Sequence, residues 1–182
     1  MRLLLVFISC YIFSVNFSFA SETDSYNNQL NKTYQSFIES FEKLDADQID
    51  QMYDRDILYI SEGKSQPILQ GSNEVKLIYQ RFFDRVKQKN IRLKIGFRLL
   101  SRDIADEQAT DIGYYIIRFI PSKKSEEPVS EFAGKFLIVS KKAKNGQWLW
   151  SMEMNNRAKL EYYFNSKSKK NLFYSKTLKV DK

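Results

Sequence analysis

The chain has 182 residues, 43% of them hydrophobic, and a formal net charge of +7, which suits one globular domain with a tail. It contains no histidine, so Ser-His-Asp and Cys-His catalysis and imidazole acid, base or zinc chemistry are excluded. Its single cysteine, Cys10, leaves no disulfide framework.

Met1 and Arg2 precede a charge-free run from Leu3 to Ala20. Its apolar start and the small residues Ser18 and Ala20 fit a secretory signal, residues 1–20, cleaved before Ser21. That predicts a periplasmic or secreted protein. The run is also just long enough to be an uncleaved anchor. Phe7-Ile8-Ser9-Cys10 loosely resembles a lipoprotein box.

Leu30, Tyr34, Phe37, Ile38, Phe41 and Leu44 recur at helical spacing and predict an amphipathic helix from Asp24 to Leu44. Within it, Asn31-Lys32-Thr33 matches a glycosylation acceptor and is discounted because of the helix. Asp45 or Asp47 caps a short second helix with Ile49, Met52 and Tyr53. Ile57 to Ile60 form a short strand. Ser72 caps a third helix carrying Val75, Tyr79, Phe82 and Phe83 on one side.

The period then changes to two. Ile91, Leu93, Ile95, Phe97 and Leu99 alternate with basic residues, as in a strand with one buried face. Thr110 to Ile120 and Phe132 to Ser140 are further strands. Asn145-Gly146 predicts a type I′ hairpin into a last strand, Gln147 to Asn155. Strict alternation puts Trp148, Trp150, Met152 and Met154 on one face and Glu153 on the other.

The expected architecture is α+β, a cone-shaped curved antiparallel sheet with three helices on its concave face. The domain spans residues 21–165. Ser166 to Lys182 is a lysine-rich tail with six lysines against Asp181, loosely ordered at its start, in which Leu172, Phe173 and Tyr174 are able to dock. It could touch anionic surfaces weakly. It lacks the arginine and aromatic pattern of a nucleic-acid site, so no nucleic-acid partner is expected.

Four segments carry a resemblance: Phe37–Asp45, Met52–Ile60, Gly71 opening the third helix, and Asn145–Asn155. In this order and spacing the chain resembles the nuclear transport factor 2-like superfamily, in its SnoaL-like and ketosteroid-isomerase-like branch. The resemblance implies a conical pocket for a small apolar ligand, and pairing of two copies through the sheet. No metal or cofactor is expected. In the isomerases a helix tyrosine holds an oxyanion and a strand carboxylate is the base; Phe37 and Ser61 stand at those positions here, with Glu62 next to Ser61. In the SnoaL-like cyclases a last-strand carboxylate is the base, and Glu153 is similarly placed.

The expected pocket residues are Tyr34, Phe37, Phe41, Tyr59, Phe83, Tyr115 and Glu153. Phe37 and Ser61 favour a non-catalytic exported module that binds an apolar ligand or dimerises. The alternative is a cyclase- or isomerase-type enzyme with Glu153 as base. A buried Glu153 facing a cavity favours the enzyme. A collapsed, Phe-filled interior favours the interaction module.

Overall fold

The computed structural model describes residues 16–63 and 66–176, with side chains from residue 22 onward. Helix α1 (Asn16–Lys43) is followed by α2 (Ala46–Asp50), β1 (Tyr53–Ile60), β2 (Leu69–Gln70) and α3 (Ser72–Gln88). Four long strands come next: β3 (Arg92–Ala105), β4 (Gln108–Ile120), β5 (Ser130–Lys142) and β6 (Trp148–Ala158). Helix α4 (Leu160–Asn165) closes the described elements. Most of the expected export signal, residues 1–15, lies outside the described residues; α1 passes through the expected cleavage point at Ala20.

The class is α+β, with one curved six-stranded sheet in the order β2-β1-β6-β5-β4-β3. The sheet is mixed: β1 runs parallel to β6, while the other pairs are antiparallel. The parallel partners β1 and β6 lie at opposite ends of the strand sequence, with α3 and the long strands β3 to β5 between them. The concave face is packed by α1 and α3 through Tyr34, Phe37, Phe41, Tyr79 and Phe83. A fourth helix, beyond the three expected, covers a part of the convex face: Tyr163 of α4 packs on Ile116 and Ala133.

Turn chemistry departs from expectation in two places. Gly71, and not Ser72, caps α3; its φ of 98° suits glycine, and its N–H is used by Ile57 O at 2.9 Å. At the β5–β6 turn only Gly146 has a positive φ (84°), so the turn is not type I′, which needs two such residues. Gly146 N–H instead bonds Ala143 O at 2.8 Å and Gln147 N–H bonds Asn145 Oδ1 at 3.0 Å.

The largest departure lies in β6. Val139 pairs with Met152 but the next residue, Ser140, pairs with Trp150, so Ser151 is an extra residue. This β-bulge resets the alternation. Trp150 is buried at 1% exposure, and beyond the bulge Glu153 (5%) and Asn155 are buried too. Met152 and Met154, expected beside Trp150, are on the convex face at 36% and 37% exposure.

The described part of the tail takes the docking open to Leu172, Phe173 and Tyr174. Phe173 O accepts Leu99 N–H at 3.1 Å and Phe97 O accepts Ser175 N–H at 2.8 Å, so residues 173–175 extend the exposed edge of β3. Alternation then sends Phe173 to the core, 5.5 Å from the Tyr34 ring, and Tyr174 to the other side over Arg98. The Arg98 guanidinium lies between Tyr163 (4.3 Å) and Tyr174 (4.5 Å) and donates to Tyr163 O and Phe164 O at the end of α4.

A buried ion pair locks α1 to the sheet. Arg102 Nε and Nη2 meet Asp111 at 2.7 and 2.8 Å, Tyr34 Oη donates to the same carboxylate at 2.8 Å, and Asn27 and Asn31 accept from Arg102 Nη1. Asn31 also donates to Asn171 O at 2.9 Å, so the amide of the apparent glycosylation acceptor is already in use.

Candidate functional site

Between α1, α3 and the concave face lies a cavity of about 300 Å³. Its walls are apolar and aromatic, with Phe37, Phe41, Ile78, Phe82, Phe97 and Ile117 among them. Its polar groups are few: Tyr59, Tyr79, Tyr115, Asn155 and Glu153, with Ser61, Glu62, Gln66 and Arg85 also in its lining. An apolar vessel with a few converging polar groups is the usual form of a small-molecule site.

Glu153 reaches the cavity because of the bulge at Ser151. Its Oε2 accepts a hydrogen bond from Tyr53 Oη at 2.6 Å and its Oε1 one from Asn155 Nδ2 at 2.6 Å. Tyr53 Oη is 3.3 Å from Tyr79 Oη, and the Tyr59 phenol is within hydrogen-bonding reach of Tyr79 and Asn155. The carboxylate thus ends a chain of phenols. Burial pushes the Glu153 carboxyl above its ordinary range, while the bonds from Asn155 and Tyr53 pull it back. Burial likewise raises Tyr53, Tyr59, Tyr79 and Tyr115, with the Glu153 charge adding to each. These phenols stay protonated at neutral pH and serve as donors.

Of the expected pocket residues, Phe37, Phe41, Tyr59, Tyr115 and Glu153 line the cavity. Tyr34 and Phe83 do not: Tyr34 turns its hydroxyl to Asp111, and Phe83 packs behind Tyr79 and Phe82. Phe37 stacks on Phe41 and offers no donor. Ser61 and Glu62 both face the cavity, because β1 ends at Ile60 and the alternation that separates neighbours ends with it. Glu62 Oε1 is paired with Arg157 Nη2 at 3.0 Å. Tyr115 can lie across β5 because its cross-strand partner is Gly134, where any Cβ would overlap the ring.

Tyr53, Tyr79, Asn155 and Arg85 were not singled out from the sequence. Tyr79 and Arg85 had a signal, since Ile78, Phe82 and Arg85 follow one helical stripe. Tyr53 had none because it is expected on the second helix while it in fact opens β1, and Asn155 had none without the bulge. Among the described residues no group of Asp, Glu, His or Cys side chains is arranged to hold a metal ion. A second depression of about 260 Å³, between α1 and the start of β6, is lined by Lys32, Thr33, Ser36 and Trp148 and contains no carboxylate.

No protein-family model and no curated protein matches the chain by sequence. Solved structures do match. An NTF2-like protein with a cystatin-like fold from Novosphingobium aromaticivorans superposes with a TM-score of 0.66 at 8% identity, covering 82% of this chain and 94% of that one. The chain has the nuclear transport factor 2-like fold. An NTF2-like protein of unknown function from Shewanella oneidensis is similar as well, with a TM-score of 0.56 at 18% identity over 72% of this chain and 98% of the other. So is a candidate scytalone dehydratase from Novosphingobium aromaticivorans, with a TM-score of 0.63 at 8% identity over 76% and 88%. In this nuclear transport factor 2-like fold the cavity occupies the space between the helices and the concave sheet.

Proposed function

We propose that the protein is an acid–base enzyme of the SnoaL-like kind, acting on a small, largely apolar molecule that bears a carbonyl or hydroxyl group. The observation that carries this is the buried Glu153 carboxyl, facing an aromatic cavity and held by Tyr53 and Asn155. A carboxylate with a raised proton affinity is a competent base near neutral pH. Placed beside the carbon next to a carbonyl, Glu153 would take its proton. Tyr59, Tyr79 or Tyr115 would donate a hydrogen bond to the enolate oxygen, and the proton would return from Glu153 to the same or a neighbouring atom. No co-reactant is consumed. The missing helix tyrosine at Phe37 weighs against one known arrangement of donors, but other walls of the cavity supply three phenols.

The test is exchange of carbon-bound hydrogen with solvent deuterium, followed by NMR on a panel of one- and two-ring ketones. Wild type exchanges at least one of them; Glu153→Gln abolishes this and Tyr53→Phe slows it. Exchange that survives in Glu153→Gln refutes the assignment.

The candidate dehydratase among the structural relatives favours a proton-transfer role over a purely structural one. We also propose that the enzyme is exported and pairs with a second copy through the convex face. Apolar rows run over β1, β6 and β5 on that face: Leu58 beside Met152 and Val139, and Ile60 beside Met154 and Leu137, the second row continuing to Ile112 on β4. Exposed Leu58, Ile112, Met152 and Met154 make these rows self-complementary for an isologous pair.

A further inference from the structure

We infer that the cavity selects small organic acids, with Arg85 holding the ligand's carboxylate at the mouth while its oxygen-bearing far end lies at Glu153. This rests on the cavity being a ligand site and adds the class of ligand it takes.

Three observations carry it. Ile78, Phe82 and Arg85 occupy successive turns of one face of α3, and all line the cavity. That face runs from apolar, half-buried side chains to an exposed guanidinium. Second, the Arg85 side chain makes no ion pair or hydrogen bond among the described residues. A guanidinium presents a planar fork matched to a carboxylate. Third, the other charge that the described residues bring to the mouth is compensated. Glu62 is paired with Arg157, whose guanidinium is further fixed 4.4 Å above the Phe132 ring. Among the described lining residues Arg85 is therefore the uncompensated charge of the mouth, and its sign selects an anion.

The interior sets the other end of the ligand. The walls are rings and branched aliphatics, and the polar groups at Glu153 are phenols, an amide and a carboxyl. A second ionised group there would face the desolvation that already raises Glu153. The ligand is thus charged at one end only. A flat or alicyclic body, a carboxylate at one end and a carbonyl or hydroxyl at the other satisfy both regions.

The probes are para-hydroxycinnamate and its methyl ester, which share a shape and differ in one charge. Binding is measured by calorimetry at low salt to wild type, Arg85→Gln, Arg85→Lys and Glu153→Gln. Wild type should bind the acid about tenfold more tightly than the ester, a difference of about 1.4 kcal/mol. Arg85→Gln should abolish that preference by weakening the acid alone, and Arg85→Lys should keep part of it. Glu153→Gln should retain the preference, since its change lies at the far end. Equal affinity of wild type for acid and ester, or an unchanged preference in Arg85→Gln, overturns the inference and leaves the cavity a ligand site. If neither probe binds wild type, the ligand-site reading fails and this inference falls with it.

Discussion

Trp150 and Glu153 point to the same side of the sheet although they sit at opposite parity on β6, because Ser151 bulges out between them. Before the bulge the strand supplies the core: Trp150 lies 5.0 Å from Phe37, 5.4 Å from Tyr34 and 5.6 Å from Tyr53, centroid to centroid. Beyond it the same face supplies the cavity, with Glu153 and Asn155. Core and candidate site are therefore adjacent stretches of one strand, and Tyr53 joins them by touching both.

Trp150→Ala should be the most damaging single truncation near the site. The indole is fully buried among rings, and removing it leaves a cavity that these rings cannot fill by small shifts. The expected loss is about 3–5 kcal/mol, a large share of the roughly 5–15 kcal/mol that holds a domain together. Denaturant melts give the value. A loss below about 1 kcal/mol would contradict the placement of β6.

Glu153→Gln should stabilise the protein at neutral pH, and the gain should depend on pH. Burial raises the folded-state pKa of Glu153 above its unfolded value. The folded state then favours the protonated carboxyl. That contribution is fully present below about pH 4.3, the unfolded value, and is lost as pH rises through the folded pKa. The two proteins should melt alike in acid, and the glutamine variant should melt progressively higher above that pH. Asn155 can turn its amide to accept from the new side chain. Thermal melts from acid to alkaline pH check the sign; a wild type that gains on the variant as pH rises would show a lowered pKa.

Truncation after Ser166 should destabilise the domain. It removes the Phe173 ring from Tyr34, two backbone hydrogen bonds from β3, and Tyr174 from the buried Arg98. A half-buried Phe and hydrogen bonds of about 1 kcal/mol each give an expected cost of about 2–4 kcal/mol. The bared edge of β3 should also promote association. Phe173→Ala alone should reproduce a good part of the loss. Melting curves unchanged by the truncation would mean that the docked segment contributes nothing to the fold.

Met154→Lys should leave the monomer folded and break the pairing proposed for the convex face. Met154 is exposed between Leu137 and Ile60, so the monomer loses little. Light scattering of wild type should give twice the monomer mass, and the variant the monomer mass. A monomeric wild type refutes the pairing.

The α+β class and most elements were legible because periodicity reports burial. The helical stripe from Leu30 to Phe41 and the alternation from Ile91 to Leu99 map onto α1 and β3. The orientation of Glu153 was not legible, because a bulge adds a residue without any sequence mark that alternation can read; Ser151 is an ordinary strand residue here. The docking of the tail was only partly legible. Its lysines dominate the composition, while the segment that docks, Leu172 to Ser175, is only one short alternating stretch. The Arg102–Asp111 pair escaped notice because its partners come from α1, β3 and β4. The parallel pairing of β1 with β6 is likewise a long-range choice that neither strand records alone.

The central claim is that Glu153 is a buried carboxyl whose proton affinity the cavity raises. Selective labelling of glutamate side-chain carbons, with Glu153→Gln to assign the resonance, permits its titration by NMR in the folded protein. The account predicts that Glu153 titrates above 4.5, and that Tyr53→Phe raises it further by removing a hydrogen bond to the charged form. A Glu153 that titrates at or below 4.5, or that is indifferent to Tyr53→Phe, would contradict it.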